Sequence, residues 1–268
     1  MTLLSAVTIL FVVTDKSRLD SLLVQRGLVE SREKARAVVL AGAVLVDGKP
    51  AAKAGVLVSS GVAVELLAGP QYVSRGGDKL AHALREFHLD VDGLVAVDVG
   101  ASTGGFTDCL LRSGAARVYA VDVGYGQLDY RLRQDPRVTT LERVNIRYLE
   151  NLPEKGDLAA VDVSFISLEK VIPALTKLLK DGAMIVALVK PQFQARRPEV
   201  GKKGVVRDPQ VHAAVLGRLI AWGAGNGLRL LGLTTSPLLG PAGNKEFFIL
   251  WRLAGVPAER PHRSGATP

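Results

Sequence analysis

Four charged residues stand where a folded chain could gather them for acid–base work. Lys79 follows the run SRGGD, Asp162 ends DLAAVD, Lys190 ends AMIVALVK and Glu246 opens EFFILWRL. A lysine closing an apolar run is costly to bury unless an acid pairs with it, and Asp162 is a natural partner for Lys190. Any one of these residues alone reads as half of a structural ion pair. All four at strand ends on one ligand-binding rim make two amines and two carboxylates that could orient a polar reactant and assist its proton transfer.

A second constellation lies upstream. The run LVAVDVG (94–100) passes into ASTGGF (101–106) and then into a helical stretch. Gly100, Gly104 and Gly105 let the backbone turn sharply and approach a ligand closely. Asp122 ends the next apolar run and is placed to accept hydrogen bonds from ribose hydroxyls. Nicotinamide enzymes share this logic, but the spacing G-A-S-T-G-G differs from G-x-G-x-x-G, and Asp98 precedes the first glycine by two residues. Both details resemble the S-adenosylmethionine-binding turn of methyltransferases. That resemblance implies a cofactor site of Asp98, Gly100, Ala101, Ser102, Thr103, Gly104 and Gly105, with Asp122 on the ribose and Asn145 near the adenine. Cytosine-carbon methylation needs a cysteine in a strand-end loop, whereas Cys109 falls inside the first helical stretch. Adenine amino-methylation needs [DN]-P-P-[YFW] where this chain reads Asp162-Val163-Ser164-Phe165. Neither base chemistry has its residues.

The elements that must position these groups alternate. Apolar, β-prone runs at 94–100, 117–123, 138–141, 157–163, 183–190, 228–236 and 246–253 are interleaved with helical stretches near 104–113, 127–133, 168–180 and 209–224. This is the pattern of a Rossmann-type α/β domain, a doubly wound, mostly parallel sheet whose ligands bind beyond the carboxyl ends of its strands.

Residues 15–70 read differently. RLDSLLVQR puts Leu19, Leu22 and Leu23 on one helical face with Gly27 as its stop; Ser31 opens a second helix, SREKARAVVLAG, ending at Gly42. Asp47-Gly48 marks a hairpin, and Val56 to Leu67 reads as a further strand. The order and spacing resemble the S4 RNA-binding domain, a small α+β module. The resemblance implies RNA contacts by Arg18, Arg26, Arg32, Lys34 and Arg36, charges that would otherwise read as a solvated helix face. Residues 71–76 read as a linker, 77–253 as the catalytic domain and 254–268 as a flexible tail.

Composition bounds the rest. The chain has 268 residues, 48% apolar and 22% charged, enough to bury a core. Its net charge of +8 favours a polyanionic partner. One cysteine excludes an intrachain disulfide framework, and His82, His88, His212 and His262 lack metal-ligand spacing, so no metal is expected. The apolar N-terminal extension, residues 1–14, is shorter than a spanning helix and lacks a basic n-region. A cytoplasmic protein without a membrane partner is expected.

Taken together, YVSRGGDKL, DVGASTGGFTDCLL, DVGYGQL, DVSFIS, LVKPQF and SPLLGPAGNKEFF resemble the TlyA family, rRNA ribose 2′-O-methyltransferases with an S4 domain and an FtsJ-like catalytic domain. The resemblance spans about residues 16–253. It implies a catalytic tetrad on Lys79, Asp162, Lys190 and Glu246, Phe165 near the cofactor, and the Ser236-Pro237 loop lining the site. It also implies ribosomal RNA or ribosomal subunits as partner, with a cytidine methylated. The segment after Lys190 is Gly/Pro-punctuated and carries Arg196, Arg197, Lys202, Lys203 and Arg207; it is expected to clamp RNA backbone and to order on binding. Three other readings stay open on the sequence: methylation of another structured RNA such as tRNA, a non-catalytic RNA-binding ribosome assembly factor, and a membrane-active hemolysin, a name some family members carry.

Overall fold

The computed structural model describes residues 16–40, 42–66, 71–201, 204–240 and 242–254. The expected readings of residues 1–14, of Lys202 and Lys203, and of the tail beyond Ala254 lie outside the described residues. The chain divides into two compact units, Met1–Gln71 and Tyr72–Pro268.

The first unit contains β1 (Lys16–Arg18), α1 (Leu19–Gln25), α2 (Arg32–Leu40), β2 (Val44–Val46), β3 (Lys49–Pro50), β4 (Leu57–Ser59) and β5 (Val64–Leu66). Leu19 and Leu23 of α1 meet Ala35 and Val39 of α2 over Val44, and this cluster is the unit's core. Ser31 accepts the Lys34 N–H at 3.1 Å, as an N-cap should. Asp47 and Gly48 both take positive φ, 49° and 74°, which is what a two-residue hairpin between β2 and β3 demands. The run 56–67 is two strands rather than one. β4 pairs with β1 and β5 with β2 in separate sheets, and a turn closed by the Val62 N–H on the Ser59 carbonyl divides them.

The second unit begins with α3 (Arg75–Glu86), whose first two residues fall within the stretch 71–76 read as a linker. There follow β6 (Val95–Val99), α4 (Gly105–Arg112), β7 (Arg117–Asp122), α5 (Tyr130–Gln134), β8 (Val138–Glu142), β9 (Gly156–Val161), α6 (Leu168–Thr176), β10 (Leu179–Val189), α7 (Pro191–Gln194), α8 (Pro209–Gly225), β11 (Leu228–Thr235) and β12 (Phe247–Leu253). The sheet order is β11-β12-β10-β9-β6-β7-β8, with β12 antiparallel to both neighbours and the pairs from β10 to β8 parallel. Strand order reverses at β6, which lies between β9 and β7, and a crevice opens at such a switch point.

Successive strand residues face opposite layers, so each face has its own core. Val95, Val97 and Val99 pack with Leu168, Ile172 and Leu175 of α6 and with Val215 and Leu219 of α8. Ala96, Val118, Ala120 and Leu158 pack under Leu80 and Ala83 of α3 and Phe106, Cys109 and Leu110 of α4. Each large side chain so buried contributes roughly 1.5–3 kcal/mol. α6 stops four residues short of the expected 180, because Leu178 and Leu179 are drawn into the interior and β10 starts at Leu179. The segment after Lys190 is not structureless. It carries α7 and a 3-10 turn at Arg197–Glu199, and buried Val206 donates its N–H to Asn244 Oδ1 at 2.9 Å.

Candidate active site

The sheet brings the four charged residues to one rim. Asp162 directly follows β9 and Lys190 directly follows β10. Glu246 directly precedes antiparallel β12, whose Phe247 is in register with Val189, so Glu246 arrives beside Lys190's end of β10. Lys79 reaches the rim from α3. The four form two ion pairs. Lys79 Nζ lies 2.5 Å from Glu246 Oε2 with both residues buried, and Lys190 Nζ lies 2.6 Å from Asp162 Oδ1. Lys190 also donates a hydrogen bond to Ser164 Oγ at 2.8 Å, whereas its contact to Asp162 Oδ1 does not have hydrogen-bond geometry. Ser164 was not singled out in the sequence. Lys79 and Asp162 line one cavity of about 440 Å³, and no ion pair joins the two couples among the described residues.

Beside this rim runs the glycine turn. Gly100 has φ +86°, and a Cβ there would meet the Asp162 carbonyl oxygen at 2.3 Å; only glycine lets β6 turn so close to the end of β9. Ser102 also takes positive φ, and its N–H donates to Asp122 Oδ2 at 2.8 Å. The other Asp122 oxygen accepts the Gly124 N–H at 2.6 Å, and each oxygen keeps a second lone pair. A cavity of about 530 Å³ is lined by Gly100, Ser102, Asp122, Asn145, Asp162 and Phe165, among others. Gln127, missed by sequence reasoning, joins them and accepts the Ser102 hydroxyl proton at 3.2 Å. Phe165 holds φ +62° with its ring 89% exposed, 4.8 Å from the ring of Phe193. A bulky residue in the left-handed region is a strained one, and such strain concentrates at functional sites.

Three expected cofactor residues stand elsewhere. Asp98 is fully buried on the α4 face of β6, where its Oδ2 accepts the Thr107 hydroxyl at 2.6 Å and burial pushes the carboxyl up to about 7. The pleat explains this: Val97 and Val99 face one layer, so Asp98 must face the other. Gly104 packs against Leu128 and Leu132 and lines neither cavity. Ser236 is buried and spends its hydroxyl on Leu238, donating to that residue's carbonyl at 2.9 Å, so it too lines neither cavity. Ala101, Thr103 and Gly105 line the smaller cavity. Cys109 is buried in α4, its thiol pushed up to about 12 by burial, as befits a core residue.

In the first unit the basic residues are organised around one acid. Buried Asp20 accepts from Arg18 Nη2 at 2.7 Å and lies 3.4 Å from Arg32 and 3.7 Å from Arg36. The Arg18 hydrogen bonds hold its carboxyl well below the usual range, despite burial. Arg26 donates to the Ser60 carbonyl at 2.6 Å, and the Lys34 side chain is exposed. Arg196, Arg197 and Arg207 are exposed on the second unit.

A doubly wound sheet with an inserted antiparallel strand, a glycine turn at its switch point and amine–carboxylate pairs on its rim defines the methyltransferase class of α/β proteins. Comparison with known proteins agrees. Residues 72–253 match the FtsJ-like methyltransferase model, and residues 17–64 match the S4 domain. A protein of Bacillus subtilis named as an rRNA methyltransferase, YqxC, is 49% identical over 241 residues, covering 87% of this chain and 85% of that protein. The 16S/23S rRNA (cytidine-2′-O)-methyltransferase TlyA of Mycobacterium tuberculosis is 46% identical, covering 88% and 90%. A solved structure from Streptococcus thermophilus, named a hemolysin, superposes with a TM-score of 0.70 at 44% identity, covering 90% of each chain. The chain belongs to the FtsJ-like methyltransferase family and carries an S4 domain. The family's methyl donor, S-adenosylmethionine, fits the residues present: Gly100 and Ser102 of the glycine turn and the Asp122 carboxylate all border the larger cavity. No helix among the described residues is long and apolar enough to cross a membrane.

Proposed function

We propose that the protein methylates a ribose 2′-hydroxyl of ribosomal RNA, on a cytidine, working in the cytoplasm on rRNA or ribosomal subunits. The observation that carries the reading is the placement of two amine–carboxylate pairs beside the glycine turn, with Asp162 bordering both cavities. Bound S-adenosylmethionine supplies an electrophilic sulfonium methyl group. A ribose hydroxyl is a weak acid and a poor nucleophile, so the protein's main task is to hold its oxygen in line, with proton removal assisting. Lys190 contacts the 2′-oxygen, and Asp162 and Ser164 fix the direction of its ammonium. Lys79 and Glu246 form the buried wall behind it. Asp122 and Asn145 hold the nucleoside end of the donor.

The Asp20-centred arginines of the S4 domain and Arg196, Arg197, Lys202, Lys203 and Arg207 contact RNA phosphates, which position the substrate without reading its bases. Mapping ribose methylation on ribosomal RNA from cells with and without the protein tests the reading. A 2′-O-methyl mark that disappears with the protein supports it, and an unchanged map overturns it.

A further inference from the structure

Lys190 and its partners stand on two separate loops. Asp162, Ser164 and Phe165 lie between β9 and α6, whereas Lys190 ends β10 and Phe193 belongs to α7. Lys190 Nζ reaches across to Asp162 Oδ1 at 2.6 Å and to Ser164 Oγ at 2.8 Å, and the Phe193 ring stands 4.8 Å from that of Phe165. These contacts lie at the wet end of the crossing. Phe165 is 89% exposed at a φ of +62°, so its own packing does not hold it in that strained turn.

A drier contact lies one turn further on, at Gln194. The residue is buried and lines neither cavity. Its Oε1 accepts the Leu168 N–H at 3.2 Å and stands 3.1 Å from Ser167 Oγ. Only an oxygen accepts an amide N–H, so the Leu168 bond fixes which way the Gln194 side chain is turned. Leu168 is fully buried and opens α6, where its N–H has no partner within the helix. The main chain of Gln194 is held as well. Its carbonyl accepts from Arg218 Nη2 of α8, and Arg218 Nε lies 3.9 Å from Glu169 Oε1 in the first turn of α6. Gln194 follows Lys190 by four residues and Leu168 follows Ser164 by four, so this contact closes the same pair of loops that the reactive groups bridge.

We propose that Gln194 is a positioning residue for methyl transfer: it staples the Lys190 loop to the Asp162 loop and so holds the Lys190 ammonium against Asp162 and Ser164. The inference rests on the ribose-methylation reading and adds to it a residue that acts through others. α7 is only four residues long, too short to keep its orientation by helical hydrogen bonds alone. In-line transfer is sensitive to such orientation, since a misplacement of about 1 Å can cost on the order of 10²-fold in rate.

The test is single-turnover methylation of ribosomal subunits from cells lacking the protein, with labelled S-adenosylmethionine and the full chain. Gln194→Met keeps the length of the side chain and loses the acceptor; Gln194→Glu keeps an acceptor oxygen. Gln194→Met is expected to slow transfer roughly 10- to 100-fold, with Gln194→Glu recovering most of the rate. In a Ser164→Ala background the Gln194→Met change should cost much less, because the contact it protects is already gone. Equal slowing by Met and Glu would overturn the inference, and so would effects of Gln194→Met and Ser164→Ala that multiply in full. Thermal denaturation shows whether Gln194→Met folds. If it does not, Arg218→Gln releases the Gln194 carbonyl from a partly exposed position and carries the same two expectations; an unchanged rate there overturns the inference. Wild-type protein that transfers no methyl group removes the ribose-methylation reading and this inference with it. An active wild type whose rate Gln194→Met leaves untouched removes the inference alone.

Discussion

Gly100 faces the carbonyl oxygen of Asp162 with room for no side chain: a Cβ would stand 2.3 Å from that backbone atom. The obstacle is main chain at the end of β9, not the flexible tip of a side chain, and φ at Gly100 is already +86°. Gly100→Ala is therefore expected to cost about 1–3 kcal/mol of stability and to abolish S-adenosylhomocysteine binding. Thermal denaturation and calorimetry on one sample check both effects.

The two ion pairs should respond differently to truncation. Lys79→Ala leaves the Glu246 carboxylate stranded in the interior, an expected loss of about 3–5 kcal/mol. Lys190→Ala breaks a pair that water reaches and costs less stability, but it should slow single-turnover methylation about 10²- to 10⁴-fold. Denaturant titration set against single-turnover rates across pH separates the two roles. A Lys190→Ala enzyme of near-wild-type rate would remove that residue from the chemistry.

Asp98 gives the stability a pH dependence of known sign. Its carboxyl is raised from 3.8 to about 7 by burial, so between those values the folded chain binds the extra proton. Stability contributed by the neutral carboxyl is then present at low pH, declines as pH rises through this window, and is lost above the folded value. Asp98→Asn keeps a neutral group beside Thr107 and is expected to flatten the decline. Unfolding free energies at pH 5 and pH 8 for both proteins give the comparison.

Charge removal on the second unit should report on RNA. Arg196 and Arg197 are exposed, and replacing both by alanine is expected to weaken RNA binding and reduce the slope of log affinity against log salt by about 1–2. Titrations at several salt concentrations measure it; an unchanged slope would exclude these residues from phosphate contact.

Much of the rim was legible because the sheet's own grammar exposes it. A β-run that is apolar throughout and then ends in Asp162 or Lys190 announces a strand buried on both faces with a polar group at its mouth. Lys79 was legible as a residue but not its helix, since Gly76 and Gly77 are poor helix formers and only packing favours them there. Gly77 lies where a Cβ would strike the Tyr72 side chain at 2.2 Å, a tertiary constraint invisible to local propensity. Asp98 was misread because an acid two residues before a glycine looks the same whether it points toward ligand or toward Thr107. Ser236 was misread for a related reason: nothing local says that its hydroxyl turns back on Leu238. Ser164 went unnoticed, because its place beside Lys190 is a matter of distance in the folded chain.

The antiparallel insertion of β12 carries a consequence for biosynthesis. Lys79 emerges from the ribosome early, but its counter-ion, Glu246, comes 167 residues later on a strand that must slot between β10 and β11. Until that final strand docks, an ammonium destined for the interior has no mate and the reaction centre lacks a wall. A nascent polypeptide interrupted before this point could hold the glycine turn and much of the parallel sheet yet be catalytically silent. Among the described residues β12 is the last strand, so the pairing of Lys79 with Glu246 closes only once the end of this sheet has docked.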